Sequence, residues 1–412
     1  MLRHPGLGHA GILLHLMTRF ELSVAELRAR PGTKWHRYAE DVLPAWIAEM
    51  DFDVAEPIQA AIRDLADERA YGYEDDRSDQ LLAQAFADYM LQRFGWHVGV
   101  DHLVPVADLV QALFVAVSAF TARGQGVVLQ TPIYPPFINA VRETGRHIVE
   151  HRLVDDGRRF VLDATTLPAV FDADAPLLLL CNPHNPTGRV FQRDELEAVA
   201  AVAVERKLVV VADEVHADLV YPGQQHIPFA SLGADVAART ITITSATKAY
   251  NVPGLRCGLM HFGSEELRER FRASFPDRLL GKVNRFGRQA TIAAWRGGAP
   301  WLDRVLGVLD ANRARLARYL AAELPEIGHH SPEATYLAWL DCRSLALPVS
   351  PHAFLLEHAR IALNDGHEFG PPGRGCVRLN FATAPSILDE ILERLVSAVR
   401  QHTRSASPAR RS

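Results

Sequence analysis

Residues 239–258 read R-T-I-T-I-T-S-A-T-K-A-Y-N-V-P-G-L-R-C-G, a stretch that joins a strand-like run to a lysine and a turn. Its first part alternates β-branched residues from Thr240 to Thr244, a pattern that predicts a buried strand. Small hydroxyl residues then surround Lys248, and Pro253-Gly254 marks a turn. A lysine at the mouth of a buried strand is unusual, because burying an ammonium group costs free energy.

Lys248 has two interpretations. A buried lysine is useful where the amine must lose its proton and form an imine. Ser245, Thr247 and Arg256 supply two hydroxyl donors and one guanidinium, a set that suits a phosphate group. Imine chemistry beside a phosphate site indicates pyridoxal phosphate (PLP). The alternative is a surface loop with a solvated lysine and arginine, and this stretch by itself favours neither interpretation.

The composition is that of an ordinary globular protein. The chain has 412 residues, of which 48% are apolar and 23% charged, and this length predicts two domains that share a large core. The net charge of -5 gives no reason to expect a nucleic-acid or membrane partner. The four cysteines form no C-x-x-C pair, which argues against a disulfide framework and a metal site and predicts a cytoplasmic protein.

Between about residues 102 and 260, short apolar strands alternate with helical segments. This pattern predicts an α/β fold with a mostly parallel sheet that is covered by helices on both faces. The predicted strands are Gly126–Gln130, Pro176–Cys181, Leu208–Ala212, Thr240–Thr244 and Leu259–Phe262. The predicted helices are Leu109–Ala122, Pro135–Thr144 and Arg193–Arg206. In such sheets ligands bind beyond the carboxyl ends of the strands.

The remaining segments predict a second, smaller α+β unit and its connections. A long helix at Trp301–Leu324 precedes it, and Ser78 is predicted to cap a helix that runs to Phe94. The predicted elements of the small unit are Thr335–Asp341, Pro351–Arg360, Cys376–Phe381 and Ser386–Gln401. The predicted organisation is an N-terminal extension (1–17), an arm that joins the small domain (18–50), a large domain (51–285), a linking helix with the small domain (286–402) and a disordered tail (403–412).

Polar residues follow the predicted strands at the ligand-binding edge. Asp213 comes directly after an apolar strand and could keep a pyridine nitrogen protonated, which makes the ring an electron sink. Asn185, within a proline-rich turn, could donate to a ring oxygen, and Tyr134 could stack on a flat ring. Each residue has a structural alternative: Asp213 could be a helix cap, Asn185 could belong to an ordinary turn, and Tyr134 could be a core tyrosine. The shared edge with Lys248 favours the functional interpretation of Asp213.

Three further positions are candidates with structural alternatives of their own. The amides around Asp108-Leu109, at a predicted helix N-terminus, could bind phosphate, although Asp108 could instead cap that helix. Arg378 lies in a late strand and could bind a substrate carboxylate, or be an edge-strand arginine in water. His216 could be a general base, a donor or a structural histidine.

These motifs together resemble a known family. The order N-P-H-N-P-T-G (182–188), D-E-V-H (213–216), S-A-T-K (245–248) and R-L-N-F (378–381) resembles the fold type I PLP enzymes, the aminotransferase class I/II superfamily. W-I-A-E-M-D-F (46–52), Y-G-Y (71–73), Q-T-P-I-Y-P-P-F (130–137) and T-Y-L-A-W-L-D (335–341) are similar to its MalY/PatB-like branch of cystathionine and cysteine-S-conjugate β-lyases. The resemblance covers about residues 30–400.

The resemblance implies a large domain with a seven-stranded, mostly parallel sheet, and a role for each matched residue. Lys248 would be the Schiff-base lysine. Arg378, helped by the backbone near Ala48 and by Tyr134 and Asn185, would bind a small amino-acid substrate. Tyr73 would reach the phosphate of a neighbouring subunit, which implies a homodimer with shared active sites. The implied cofactor-binding residues are Tyr73, Asp108, Leu109, Tyr134, Asn185, Asp213, His216, Ser245, Thr247, Lys248 and Arg256.

The implied activity is α,β-elimination from a cysteine S-conjugate such as cystathionine. Three positions depart from the branch: Glu49 stands where an aspartate is common, Ala107-Asp108-Leu109 replaces a Gly-Val-Val run, and Arg256 resembles the aminotransferases. An aminotransferase, a specialised-metabolism relative with diverted PLP chemistry and a non-enzymatic PLP-binding protein are therefore the alternatives.

Overall fold

The structure is a computed structural model that describes residues 19–406, except 75–76 and 171–173. The predicted N-terminal extension lies outside the described residues, as does most of the predicted tail. Within the described part, no helix is long and apolar enough to cross a membrane.

A seven-stranded sheet forms the centre of the large domain, as the motifs implied. Its strands are β1 (Leu103–Val106), β2 (Gly126–Thr131), β3 (His147–Arg152), β4 (Leu177–Cys181), β5 (Val209–Asp213), β6 (Thr240–Thr244) and β7 (Gly258–Phe262). The order across the sheet is β1-β7-β6-β5-β4-β2-β3. The neighbours from β6 to β3 pair in parallel, whereas β7 is antiparallel to both β6 and β1.

Both faces of this sheet are covered by apolar side chains. Along β4, Leu177 and Leu179 belong to one hydrophobic cluster, whereas Leu178 and Leu180 belong to another. Successive side chains of a strand point to opposite faces, so a continuous leucine run is needed where helices pack on both sides.

The helices and short turns occupy the segments between these strands and at the two ends of the chain. The helices are Val24–Ala29, Thr33–His36, Glu56–Asp67, Arg77–Phe94, Leu109–Phe120, Pro135–Glu143, Leu167–Val170, Arg193–Glu205, Ala234–Ala237, Glu265–Ser274, Asp277–Leu280, Arg285–Gly297, Ala299–Glu323, Pro351–Phe354 and Pro385–Ala406. The short 3₁₀ turns are Val100–His102, Phe229–Leu232, Pro253–Leu255, Arg343–Leu345, Gly366–Phe369 and Pro371–Gly373.

The small domain is an antiparallel sheet with helices. Its strands are β8 (Gly328–His329), β9 (Leu337–Asp341), β10 (Asn364–Asp365) and β11 (Cys376–Asn380), in the order β8-β9-β11-β10. The short strand Leu43–Pro44 of the N-terminal segment pairs in parallel with Ile361–Ala362. A separate two-stranded hairpin joins Val154–Asp155 to Phe160–Val161.

Four details differ from the sequence prediction. Both edge strands, β1 and β3, were missed, because β1 contains Pro105 and β3 is largely polar; a proline is tolerated only at a sheet edge. Ser78 is not a helix cap, because the helix already includes Arg77. The predicted helix at Pro351–Arg360 changes into a π-helical turn at Leu355–Ala359. The closing helix continues to Ala406, so the predicted tail does not begin at 403.

Candidate active site

A pocket opens at the carboxyl ends of the parallel strands, where the chain brings together residues that are far apart in sequence. Cys181 and Asp213 end two neighbouring strands, β4 and β5, and Ser245 directly follows a third, β6. Most of the predicted site residues line this pocket: Ala48, Asp108, Leu109, Tyr134, Asn185, Asp213, His216, Ser245, Thr247, Lys248 and Arg256.

The Lys248 amine lies inside the pocket against a backbone carbonyl. Its Nζ donates to the Ala48 carbonyl oxygen at 3.0 Å. Burial lowers the pKa of Lys248 to about 8, and the nearby Arg378 guanidinium lowers it further, while Glu49 and Asp213 oppose the shift. A useful fraction of this amine is therefore unprotonated near neutral pH, as a nucleophile or general base requires.

The Ala48 carbonyl is held in place by side chains from both domains. Asn380 of the small domain donates to the Glu49 carbonyl at 2.8 Å. Asn251, three residues after Lys248, accepts a hydrogen bond from the Met50 amide at 2.8 Å. Asn380 also donates to the Ile47 carbonyl at 2.7 Å, so the segment that faces the lysine is held on both sides of Ala48. No sequence pattern indicated this clamp beyond the presence of two asparagines.

Asp213 is a buried carboxylate at the end of β5. Its Oδ1 accepts from the Val215 amide at 3.1 Å. Burial raises the pKa of Asp213 to about 7, and Glu214 adds to this, while the Val215 hydrogen bond and the Lys248 charge oppose it. A carboxylate that holds its proton so readily needs a cationic partner to stay ionised, and a protonated ring nitrogen is such a partner.

Arg378 and Asn185 form a buried hydrogen-bonded pair between the domains. The Nη1 of Arg378 donates to Asn185 Oδ1 at 2.9 Å, and its Nη2 donates to Asn364 Oδ1 at 2.6 Å and to the Trp46 carbonyl at 3.1 Å. Because Oδ1 of Asn185 is an acceptor here, its Nδ2 group remains to donate into the pocket. Burial lowers the pKa of Arg378 to about 10, so it stays a cation at neutral pH.

Tyr134 is placed by the turn between β2 and the next helix. Its amide donates to the Asn185 carbonyl at 3.1 Å, and the Arg378 guanidinium lies 5.9 Å from the ring centroid. Burial raises the pKa of its hydroxyl, so the ring stays neutral. Tyr134 therefore lines the pocket together with the asparagine.

Ser245 and Thr247 form a hydroxyl pair next to Lys248. The Oγ of Ser245 lies 2.9 Å from Thr247 Oγ1 and 2.6 Å from the Cys257 carbonyl oxygen, and it accepts from the Thr247 amide at 3.1 Å. Leu109, the first residue of the helix Leu109–Phe120, lines the same pocket. Hydroxyls and helix N-terminal amides are the usual ligands of a phosphate group.

Asp108 is the cap of that helix, one of the two possibilities that the sequence left open. Its Oδ1 accepts from the Gln111 amide at 2.8 Å. Its Oδ2 accepts from Arg256 Nη1 at 2.5 Å. The arginine next to the hydroxyl pair is therefore already bound to a carboxylate of the chain itself.

His216 is buried against Tyr336 and differs from a fully hydrogen-bonded structural histidine. Its ring lies 6.1 Å from the Tyr336 ring in an edge-on arrangement, and its Nδ1 has no hydrogen-bond partner among the described residues. Burial lowers the pKa of His216 to about 3, so the imidazole is neutral. A neutral ring with an unused nitrogen can accept or donate one hydrogen bond at the pocket wall.

Several site positions were not predicted from the sequence, among them Tyr336 and Val215. Tyr336 donates from its hydroxyl to the Ala48 carbonyl at 3.1 Å, so that this oxygen binds both Tyr336 and Lys248. Val215 lines the pocket and lies within the D-E-V-H motif, although only its neighbours were singled out. Tyr336 falls in the quoted T-Y-L-A-W-L-D motif, which was the one available signal.

Tyr73 lies apart from this pocket. Its side chain is fully exposed, and its carbonyl accepts from Arg285 at 3.2 Å. Tyr71 is also exposed and stacks on Phe286. Within the described residues, no cluster of His, Cys, Asp and Glu side chains is placed to hold a metal ion.

Comparison with known proteins places this pocket in a family. Residues 47–395 match the family model Aminotransferase class I and II. The chain belongs to the aminotransferase class I and II family. The resemblance that the motifs indicated is thus confirmed.

Individual proteins match this chain along nearly their whole length. PatB of Bacillus subtilis (strain 168), named a cystathionine β-lyase, is 34% identical over 375 residues, which are 89% of this chain and 96% of PatB. The crystal structure of OvoB is 38% identical with a TM-score of 0.85, covering 90% of this chain and 97% of OvoB. Cystalysin from Treponema denticola, whose structure contains PLP, is 30% identical with a TM-score of 0.86, covering 92% and 98%.

Proposed function

We propose that this chain is a PLP-dependent C–S β-lyase that converts cysteine S-conjugates such as cystathionine to a thiol, pyruvate and ammonia. One observation carries the proposal: the Lys248 amine, with its lowered pKa, shares a pocket with the buried carboxylate of Asp213. A named cystathionine β-lyase, PatB, is 34% identical over most of the chain and supports the choice of reaction.

The residues of the pocket fit PLP. The buried Asp213 carboxylate has a raised pKa and would be the partner of the pyridine nitrogen. Nδ2 of Asn185, the donor left free by Arg378, would bind the ring oxygen, and Tyr134 would stack on the ring. The hydroxyls of Ser245 and Thr247, with the helix amides at Leu109, would hold the phosphate.

When bound, PLP supplies an electron sink for the carbanion at the substrate Cα. Lys248, which would carry the cofactor at rest, would act as the base that removes the Cα proton. Arg378 would orient the substrate through its carboxylate, since its planar guanidinium suits a two-point contact. The thiolate would leave from Cβ, and the aminoacrylate released would react with water to give pyruvate and ammonia.

We also propose a cytoplasmic homodimer. The four cysteines are all buried free thiols, as a reducing compartment allows. Tyr73 and the nearby Tyr71 are both exposed. Tyr73 would reach the phosphate site of the partner subunit. Light scattering of the purified protein tests the dimer, and a mass that corresponds to one chain would contradict it.

An aminotransferase is the second candidate, and Arg256 is the observation that favours it, because this arginine lines the pocket eight residues after Lys248. The two reactions differ in where one proton is delivered. Purified protein is incubated with L-cystathionine in the absence of any 2-oxo acid, and pyruvate and free thiol are followed. Sustained turnover is expected for the lyase. A single half-turnover that resumes only when a 2-oxo acid is added would replace the lyase by the aminotransferase.

A further inference from the structure

An ion pair occupies the side of the pocket where the cofactor phosphate is expected. Arg256 donates to Asp108 at 2.5 Å, and both residues line the pocket together with Ser245 and Thr247. Arg256 directly follows the turn Pro253–Leu255 and has a left-handed backbone with φ of 48°, which helps to direct the chain back to the sheet. The cation that would attract a phosphate is therefore bound to a carboxylate.

Side chains at the start of the helix next to this pair bind one amide of its first turn and the amide of Ala107, which precedes the cap. The Oδ1 of Asp108 accepts from the Gln111 amide at 2.8 Å, while Gln111 Oε1 accepts from the Ala107 amide at 3.3 Å. A helix N-terminus normally attracts anions through free amides and the helix dipole. Here the Asp108 carboxylate, itself an anion, occupies part of that favourable position.

We propose that Asp108 competes with the cofactor phosphate for Arg256. On cofactor binding, Arg256 exchanges the Asp108 carboxylate for the phosphate, and the displaced carboxylate is left near a second anion. Asp108 therefore lowers the affinity for PLP by weakening the hold on its phosphate. The inference rests on the proposed function, since PLP is the ligand in both.

The exposure of the two side chains makes such an exchange feasible. The Arg256 side chain is 64% exposed and that of Asp108 is 35% exposed, so water can solvate either group as they separate. Exposed ion pairs contribute little to stability, whereas a phosphate offers a guanidinium a higher charge and a two-point contact. The consequence is a cofactor that exchanges readily, so that the loaded fraction of the protein follows the PLP concentration.

The test measures the dissociation constant of PLP from the absorbance of the lysine-linked cofactor. Asp108→Asn removes the charge and keeps the helix cap, because asparagine caps a helix as well as aspartate. D108N is expected to lower the PLP dissociation constant about tenfold, within the usual range for coupled neighbouring residues. In an Arg256→Gln background the same substitution is expected to change it by less than about twofold.

Two controls separate this effect from general changes. Pyridoxal lacks the phosphate, so D108N is expected to leave its dissociation constant unchanged. Asp41→Asn removes a carboxylate from the exposed ion pair with Arg360, outside the pocket, and controls for net charge.

Two of the remaining outcomes overturn the inference, and a third overturns the proposed function. If the PLP dissociation constant of D108N is equal to or higher than that of the wild type, the inference is overturned. An equal gain in the Arg256→Gln background also overturns it, because Asp108 would then act by direct repulsion and not through Arg256. If the wild type binds PLP with no lysine-linked absorbance, the proposed function itself fails.

Discussion

The two ends of the pocket hold their charges in opposite ways. The buried charges of the site, here called its inner end, are those of Lys248 and Asp213, which line the pocket, and of the neighbouring Arg378; burial shifts their pKa values towards neutrality. At the outer end, Asp108 and Arg256 form a partly exposed ion pair with each other. The inner charges have no mutual ion pair among the described residues, and the outer ones already have a partner.

The difference shows how one pocket can combine a reactive lysine with an ion pair that is easily exchanged for another partner. Burial makes a charged group costly, and so it makes the amine of Lys248 easier to deprotonate and the carboxylate of Asp213 ready for a cation. Solvent screening at the outer end makes the Asp108–Arg256 pair weak and easily replaced. Substitutions at the inner end should therefore have larger effects on function than those at the outer end.

The largest effect is expected at Lys248. Lys248→Ala removes the amine that would link the cofactor, so the lysine-linked absorbance and the turnover of cystathionine should both be lost. Absorbance spectra after PLP addition, and pyruvate release, measure the two. Lys282→Ala, at an exposed position, is the matched control and should retain both. If the absorbance survived in Lys248→Ala, Lys248 would not be the linking residue.

A smaller but still large effect is expected at Arg378. Arg378→Lys keeps the charge but loses the planar fork, so kcat/KM for cystathionine should fall about 100-fold. Thermal unfolding is measured alongside, because Asn364 and Asn185 each lose a hydrogen bond from this arginine. Arg374→Lys, at an exposed position in the same segment, should leave kcat/KM unchanged. A drop below threefold in Arg378→Lys would exclude a substrate-binding role.

The sequence indicated candidate residues at both ends of the site, but not the contact between the two residues of the outer end. Asn185, Asp213 and Lys248 each follow an apolar run, and the strand-end rule brings such positions to one edge. Asp108 and Arg256 were each recognised as candidates, but a contact between residues 148 positions apart has no local signal.

The fold shows the same limit. The buried strands were predicted because helices on both faces require continuous apolar runs, as at Leu177–Cys181. The edge strands Leu103–Val106 and His147–Arg152 were missed, because an edge needs neither a full ladder nor two apolar faces. Tyr336 was overlooked for a related reason, since its role depends on a hydroxyl contact with Ala48 that periodicity does not reveal.

A moderate effect on stability is expected from the burial of the Lys248 charge. The folded-state pKa of about 8 lies below the ordinary value of 10.5, so protonation favours the unfolded chain. This destabilisation is fully present below pH 8 and shrinks as the pH rises towards 10.5. Lys248→Met should therefore raise the free energy of unfolding of the cofactor-free protein by about 1–3 kcal/mol at pH 7.

Urea unfolding at pH 7 and at pH 10 measures this effect, and the gain should be smaller at the higher pH. Lys282→Met, at an exposed position, controls for the added apolar side chain and should change the free energy of unfolding little at either pH. A gain that is equal at both pH values would mean that packing, and not the buried charge, is responsible.

The smallest effect is expected at the outer end. Arg256→Gln should lower the free energy of unfolding by less than about 1 kcal/mol, because the Asp108–Arg256 pair is exposed to solvent. Arg189 provides the contrast, since it is buried and donates to Glu333 at 2.6 Å. Arg189→Gln removes a buried cation that pairs with two partly buried carboxylates, Glu195 and Glu333, and should cost about 3–5 kcal/mol. Urea unfolding of both variants measures the two losses in free energy of unfolding. If Arg256→Gln cost as much as Arg189→Gln, the Asp108–Arg256 pair would contribute strongly to stability. Its exchange for a phosphate would then be too costly to occur.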